Sequence, residues 1–257
     1  MSEILFSIIT PTYNCKGKIE KTIKSVLSQK SSLFEYIVVD SNSNDGTLDV
    51  LKKYISQIIL LVEKDNGIYD AMNKGISLSK GKYLYFLGAG DILKGDVLRL
   101  IQKKIPKRET FFIFFNVFRK DLNHIENYKN LNKFNITGNN IIHQAILYHR
   151  NIFKLFGKYD LKYKTSADHY MNIKCFGSKH IKKLYIDLLF AIYEGNGISS
   201  RKIDNVFFRD KSNLILKNLG IYSYIYSKFR HFLSVIVYSS KYKKSIKQLL
   251  RKFNLRL

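Results

Sequence analysis

The chain has 257 residues, 46% of them hydrophobic, which excludes a disordered chain and suits one α/β domain with a sizeable core plus a short appendage. Its two cysteines, Cys15 and Cys175, lie far apart, so they form neither a CxxC metal motif nor a disulfide framework, as suits a reducing compartment. The net charge of +24 points to a polyanionic partner, and it is uneven: residues 211–257 carry eleven Lys or Arg and no Asp or Glu.

Residues 5–9 form a short apolar β-type run that stops at Pro11. Residues 18–29 then place Ile19, Ile23, Val26 and Leu27 on one helical face. A second strand is expected at 36–39. Thr47 can cap a following helix whose apolar face includes Leu48, Leu51 and Ile55. Residues 58–62 read as a third strand, 68–78 as a helix and 83–87 as a fourth strand. Strands alternating with helices imply a largely parallel sheet covered on both faces, with ligands bound beyond the carboxyl ends of the strands. Polar clusters occupy those ends, at 12–14, 40–45, 63–66 and 88–91. Further on, 111–118 is an aromatic strand, 123–140 a polar loop or hairpin, and 151–156 and 168–176 are helical. A boundary falls near 204–210, so that 1–204 forms the main domain and 205–257 a basic, aromatic helical extension.

Four clusters have the makings of a site. Asp40 stands at a strand end before Asp45-Gly-Thr47, where a carboxylate accepts hydrogen bonds from a base or ribose, or simply closes a turn. Gly67 turns the chain into a helix on which Asp70, Asn73 and Lys74 share a face, as a binding site or as a plain surface helix. In Leu87-Gly-Ala-Gly-Asp91 the glycines permit close approach of backbone and ligand. Asp91 is placed to hold a divalent cation that neutralises a diphosphate, with phosphates and water supplying the other oxygens, or only to end a turn. Asp168 begins a late helix, where the dipole favours a carboxylate; general base and N-cap are both open. His143-Gln144 precedes an apolar stretch, and a lone His there is as consistent with structure as with catalysis.

Residues 1–14 lack the basic start of a signal peptide and carry Glu3. No apolar run approaches the roughly 20 residues that span a bilayer. The tail has another character. Ile246, Leu249, Leu250 and Phe253 follow i, i+3, i+4, i+7 spacing, and Lys243, Lys247 and Arg251 recur every four residues on another face. That is the pattern of an interfacial helix on an anionic membrane surface, or of a helix packed on the domain with a solvated basic face. Nucleic acid is disfavoured as the polyanion, because acidic clusters sit at the strand ends where it would dock.

Together the segments Ser7-Ile-Ile-Thr-Pro-Thr-Tyr-Asn14, Val38-Val-Asp-Ser-Asn-Ser-Asn-Asp-Gly-Thr47, Glu63-Lys-Asp-Asn-Gly-Ile-Tyr-Asp-Ala-Met-Asn-Lys-Gly75 and Gly81-Lys-Tyr-Leu-Tyr-Phe-Leu-Gly-Ala-Gly-Asp91 resemble the inverting glycosyltransferases of family 2, which have the GT-A fold. His143-Gln144 through Ala167-Asp168 extends the match to about residues 4–200, and the resemblance is to the subgroup that builds bacterial surface polysaccharides. It implies a Rossmann-like sheet flanked by helices and transfer of a sugar from a nucleoside-diphosphate donor, commonly a UDP-sugar, to a saccharide or lipid-linked acceptor. It implies that Thr10, Pro11, Thr12 and Tyr13 line the nucleotide pocket, that Asp40 reads the base, and that Asp70 and Lys74 sit near ribose or diphosphate. Asp91 then falls on the last carboxylate of the DxD segment that binds Mg2+ or Mn2+, Asp168 on the catalytic base, and His143 and Gln144 near acceptor or diphosphate. Gly88 and Gly90 depart from the pattern, standing where other members carry Asp. The expected setting is the cytoplasm, at the inner face of the cell membrane.

Overall fold

The computed structural model describes residues 3–106, 111–195 and 203–239, with side chains up to 235. The alternation read in the first ninety residues is present. Strand β1 (Phe6–Thr12) leads to α1 (Lys16–Leu27), β2 (Phe34–Asp40) to α2 (Thr47–Lys52), and β3 (Ile59–Val62) to α3 (Ile68–Leu78), before β4 (Tyr83–Phe86). Seven consecutive buried residues make β1 a central strand, whereas β3 is an edge strand with two of its four residues exposed. Gly75 lets α3 lie directly on β1, since a methyl group there would collide with Cγ2 of Ile9.

The sheet has nine strands among the described residues. Their order is β3-β2-β1-β4-β8-β6-β9-β5, with β7 (His124–Glu126) paired to β6. The first four are parallel, as read from the sequence. The second half is mixed: β8 (Ile146–His149) runs antiparallel to both β4 and β6 (Phe111–Arg119), β9 (Lys182–Tyr193) parallel to β6, and the short β5 (Ile92–Leu93) antiparallel to β9. Between them lie α4 (Val97–Gln102), α5 (Arg150–Phe156) and α6 (Ala167–Gly177). The core joins the halves through edge-to-face aromatic contacts of Phe86 with Tyr148, Phe153 and Tyr159.

Two local expectations change. Thr47 is the first helical residue of α2, and the cap position belongs to Gly46 at φ +90°. Asp45 does the capping, its Oδ1 accepting from both Thr47 N (2.9 Å) and the Thr47 hydroxyl (2.5 Å). Ile55 is exposed and lies beyond that helix. The segment after 204 forms α7 (Asn205–Leu219) and α8 (Ile221–Ser239). Phe207, Ile215 and Leu219 of α7 belong to the same core as the sheet, so the 204/205 boundary does not separate two cores. The amphipathic pattern at 243–253 lies outside the described residues. No helix among the described residues is long and apolar enough to cross a membrane.

Candidate active site

A cleft of about 950 Å3 opens where β1, β2 and β4 end. Its wall comes from Pro11 to Lys18, then Ser41 and Asn42, Asp65 and Gly67 to Tyr69, and Gly88, Ala89 and Asp91. A second pocket of about 240 Å3, lined by Asn140, Ser166, Asp168 and His169, shares His143, Gln144, Thr165 and Tyr193 with the cleft. The two spaces are therefore neighbours with a common wall. An elongated ligand in one presents its end to the other.

Pro11, Thr12 and Tyr13 line the cleft, and Tyr13 is largely exposed there. Thr10 is buried one step below and accepts the Tyr36 hydroxyl at 3.1 Å. Asp40 also lies beneath the wall, fully buried. Its Oδ1 accepts Ser43 N (2.8 Å), and its Oδ2 accepts the hydroxyls of Thr12 (2.8 Å) and Ser43 (2.7 Å). This carboxylate shapes the loop that carries Ser41 and Asn42 into the cleft. The shared helix face of α3 does a similar structural job. Asp70 holds Asn66 N (2.9 Å), Asn73 exchanges two hydrogen bonds with the Tyr159 backbone (2.9 Å each), and Lys74 ties down Glu63 (2.7 Å) and the Lys64 carbonyl (2.6 Å). Asp70 and Lys74 are not among the residues that line the cleft.

Asp91 does line it, yet it is nearly buried. Its Oδ2 accepts Gln144 Nε2 (2.6 Å) and its Oδ1 accepts Glu194 N (2.9 Å). Burial pushes its carboxyl above the ordinary carboxylate value, and these two N–H donors pull it back in part. A hard divalent cation wants about six oxygens. Among the described residues no three His, Cys, Asp or Glu side chains are grouped to hold a metal ion. A Cβ at Gly88 would stand 2.6 Å from Asp91 Oδ2, so a side chain at that position requires the Asp91 carboxylate to turn aside. Among the described residues Asp91 stands alone at this turn, and the residues described do not by themselves fit a protein-held Mg2+ or Mn2+.

Asp168 occupies the second position of the first turn of α6; the N-cap is Ser166, so the N-cap reading of Asp168 is replaced. Its Oδ1 accepts the Tyr69 hydroxyl (2.9 Å) and His169 N (2.7 Å), and its Oδ2 faces His143 Nδ1 at 3.7 Å, beyond hydrogen-bond distance. Burial raises the cost of its charge, but His143 and Tyr69 outweigh it, and the carboxyl is held below its usual range. Burial and the Asp168 charge push the Tyr69 hydroxyl well up, so that group is a neutral donor. His143 Nε2 is buried without a hydrogen-bond partner among the described residues. The helix start, a tyrosine and a histidine thus keep a buried carboxylate ionised at the edge of a pocket, which is what a proton acceptor requires.

Sequence reasoning did not find Tyr69, Thr165 or Tyr193 as parts of the site. Tyr69 stood inside a quoted motif, and a buried tyrosine hydroxyl demands a partner. That partner lies 99 positions away.

The sequence and the fold have known counterparts. The chain is 32% identical over 220 residues to a PGL/p-HBAD biosynthesis glycosyltransferase of Mycobacterium tuberculosis, covering 81% of this chain and 84% of that one. A putative teichuronic acid biosynthesis glycosyltransferase, TuaG of Bacillus subtilis, is 39% identical over 114 residues, 43% of this chain and 45% of that one. Among solved structures, S. aureus TarS 1–349 in complex with UDP-GlcNAc superposes with a TM-score of 0.69 at 20% identity, covering 83% of this chain and 66% of that one. The mannosyltransferase PcManGT of Pyrobaculum calidifontis, in complex with GDP-Man and Mn2+, gives 0.62 at 15% identity, covering 97% and 79%. At these identities the structures speak for the fold alone. The family model for glycosyl transferase family 2 matches residues 7–170, well over half of the chain and most of the segments that build the cleft, and the chain belongs to that family.

Proposed function

We propose that this glycosyltransferase moves a sugar, with inversion, from a UDP-sugar to a hydroxyl of a saccharide or lipid-linked saccharide during assembly of a cell-surface glycan. The observation that supports it most is the ionised Asp168 at the edge of a small pocket that shares a wall with the nucleotide-sized cleft. The donor lies in the larger space with its nucleoside against Pro11, Thr12 and Tyr13, and Asp40 holds the Ser41–Asn42 loop in shape. The acceptor hydroxyl enters the smaller one. Asp168 takes its proton, the acceptor oxygen bonds to the anomeric carbon, and the bond to the diphosphate breaks with its electron pair on the departing phosphate. Positioning two substrates in adjoining spaces supplies much of the rate, and the base a further factor of about 10²–10⁴. The surface-glycan setting is supported by the relatives' names, and the choice of UDP by the UDP-GlcNAc complex of TarS.

The inner face of the membrane is the site of action in this reading. Tyr222, Ile225, Phe229 and Phe232 expose one stripe of α8, and the chain after it is rich in Lys and Arg. Thermal stabilisation of the protein by a panel of UDP- and GDP-sugars tests the donor. A UDP-sugar that stabilises the fold and is consumed in the presence of a saccharide acceptor supports the proposal; stabilisation by GDP-sugars alone refutes the choice of nucleotide.

A further inference from the structure

Acidic and basic side chains line the cleft in equal number, but they are held differently. Its four acidic side chains are all engaged. Asp45 accepts from Lys16 N and Thr47, Asp65 from Gly67 N, Asp91 from Gln144 and Glu194 N, and Glu194 pairs with Lys21 (2.8 Å) and Lys120 (3.0 Å). Four lysines, Lys16, Lys18, Lys64 and Lys164, also line the cleft, and none of them makes an ion pair among the described residues. Ammonium groups without an ion-pair partner on the wall of a cleft are available to an anionic ligand.

Lys18 has the most telling place. Its stem lies over Gly90: a Cβ on that glycine would stand 3.4 Å from Lys18 Cδ. Gly90 holds φ +107°, a conformation that side chains rarely adopt. The positive φ of Gly90 disfavours a side chain there, and the Lys18 stem lies where one would stand. Lys18 also lies one turn before Lys21, whose partner Glu194 gives its backbone N–H to Asp91. The lysine is therefore anchored on the same constellation that holds the one carboxylate.

We propose that Lys18, assisted by Lys164 from the loop leading into α6, neutralises the diphosphate of the donor and of the departing nucleotide, so that donor binding rests on these cations and not on a divalent metal. The inference depends on the donor reading above. The ammonium groups hold the charge that develops on the phosphate oxygen as the sugar leaves, and no proton has to move to them.

The experiment compares UDP and uridine binding by titration calorimetry in EDTA, for the wild type, Lys18→Gln and Lys18→Arg. Lys18 is exposed at the cleft, so the fold is unaffected. UDP binds the wild type in EDTA. Lys18→Gln weakens UDP by about tenfold or more, the usual worth of a charge-assisted hydrogen bond, and leaves uridine unchanged. Lys18→Arg retains most of the UDP affinity. UDP binding that disappears in EDTA and returns with Mn2+, or a UDP-to-uridine ratio that ignores Lys18→Gln, overturns the inference while the donor reading stands. Failure of the wild type to bind either molecule, with or without Mn2+, refutes the donor reading itself and this inference with it.

Discussion

Tyr69→Phe removes one oxygen and isolates its effect on Asp168. The hydroxyl lies 2.9 Å from Asp168 Oδ1, and both side chains are buried. The ring remains to pack against Tyr159, at a centroid distance of 5.2 Å, so the fold holds. A hydrogen bond to a buried ionised group is worth about 1.5–3 kcal/mol. That amount is withdrawn from the charged form of Asp168, because the neutral form competes for the same donor less strongly. His169 N remains on Oδ1, and His143 stays 3.7 Å from Oδ2, so ionisation is weakened and not abolished. The sign follows. A base held below the usual carboxylate range keeps its charge down to low pH, and loss of a donor moves the protonation upward. The acid limb of kcat/KM for sugar transfer therefore shifts to higher pH, and the rate near neutrality changes little. A pH profile of transfer, with nucleotide affinity measured beside it, checks this. An unmoved acid limb with intact binding would refute the role given to the hydroxyl.

Other consequences are as direct. His169 is buried, its Nε2 bonds to the Ile136 carbonyl (2.8 Å), and burial together with Lys211 lowers its pKa from 6.5 to about 4. The unfolded chain takes up that proton first, so stability falls as pH drops from 6.5 to 4, by about 3 kcal/mol for this group. Urea unfolding at both pH values should show that loss, and His169→Gln should reduce it. Removing residues 240–257 leaves α7 and its buried Phe207 and Ile215 in place but deletes seven Lys or Arg. Each is worth about 1 kcal/mol at an anionic surface, so sedimentation with phosphatidylserine liposomes should be largely lost. Full retention would count against membrane docking by the tail.

The first half of the fold was legible because each of its elements carries its own periodicity. Residues 68–78 were read as a helix, and α3 spans those residues. In the second half the readings at 111–118, 151–156 and 168–176 match β6, α5 and α6, whereas β8 and β9 were not found. The 12-residue β9 contains Lys182, Lys183 and Asp187 and buries its residues irregularly, because its pairing with β6 shifts register between Phe114 and Val117. A strand lying between β6 and the short β5 presents no clean alternation to read. The site shows the same limit. Asp91 and Asp168 stood out as residue types in telling places. The partners that set their charge, Gln144 at 53 positions and Tyr69 at 99, are brought in by the fold alone. Asp40, Asp70 and Lys74 illustrate the converse: polar side chains at a strand end or in the first turns of a helix are also what the adjoining loop needs for its own hydrogen bonds.

Asp168→Asn tests the central claim most directly. Asn keeps a carbonyl oxygen for Tyr69 and His169 N, so α6 and the pocket survive, and donor contacts lie elsewhere in the cleft. It cannot take the acceptor's proton. Transfer rate and donor affinity are measured on the same purified variant. The account predicts unchanged donor affinity and a transfer rate lower by about 10²-fold or more; donor binding with near wild-type transfer would contradict it and leave Asp168 a structural residue of the helix start.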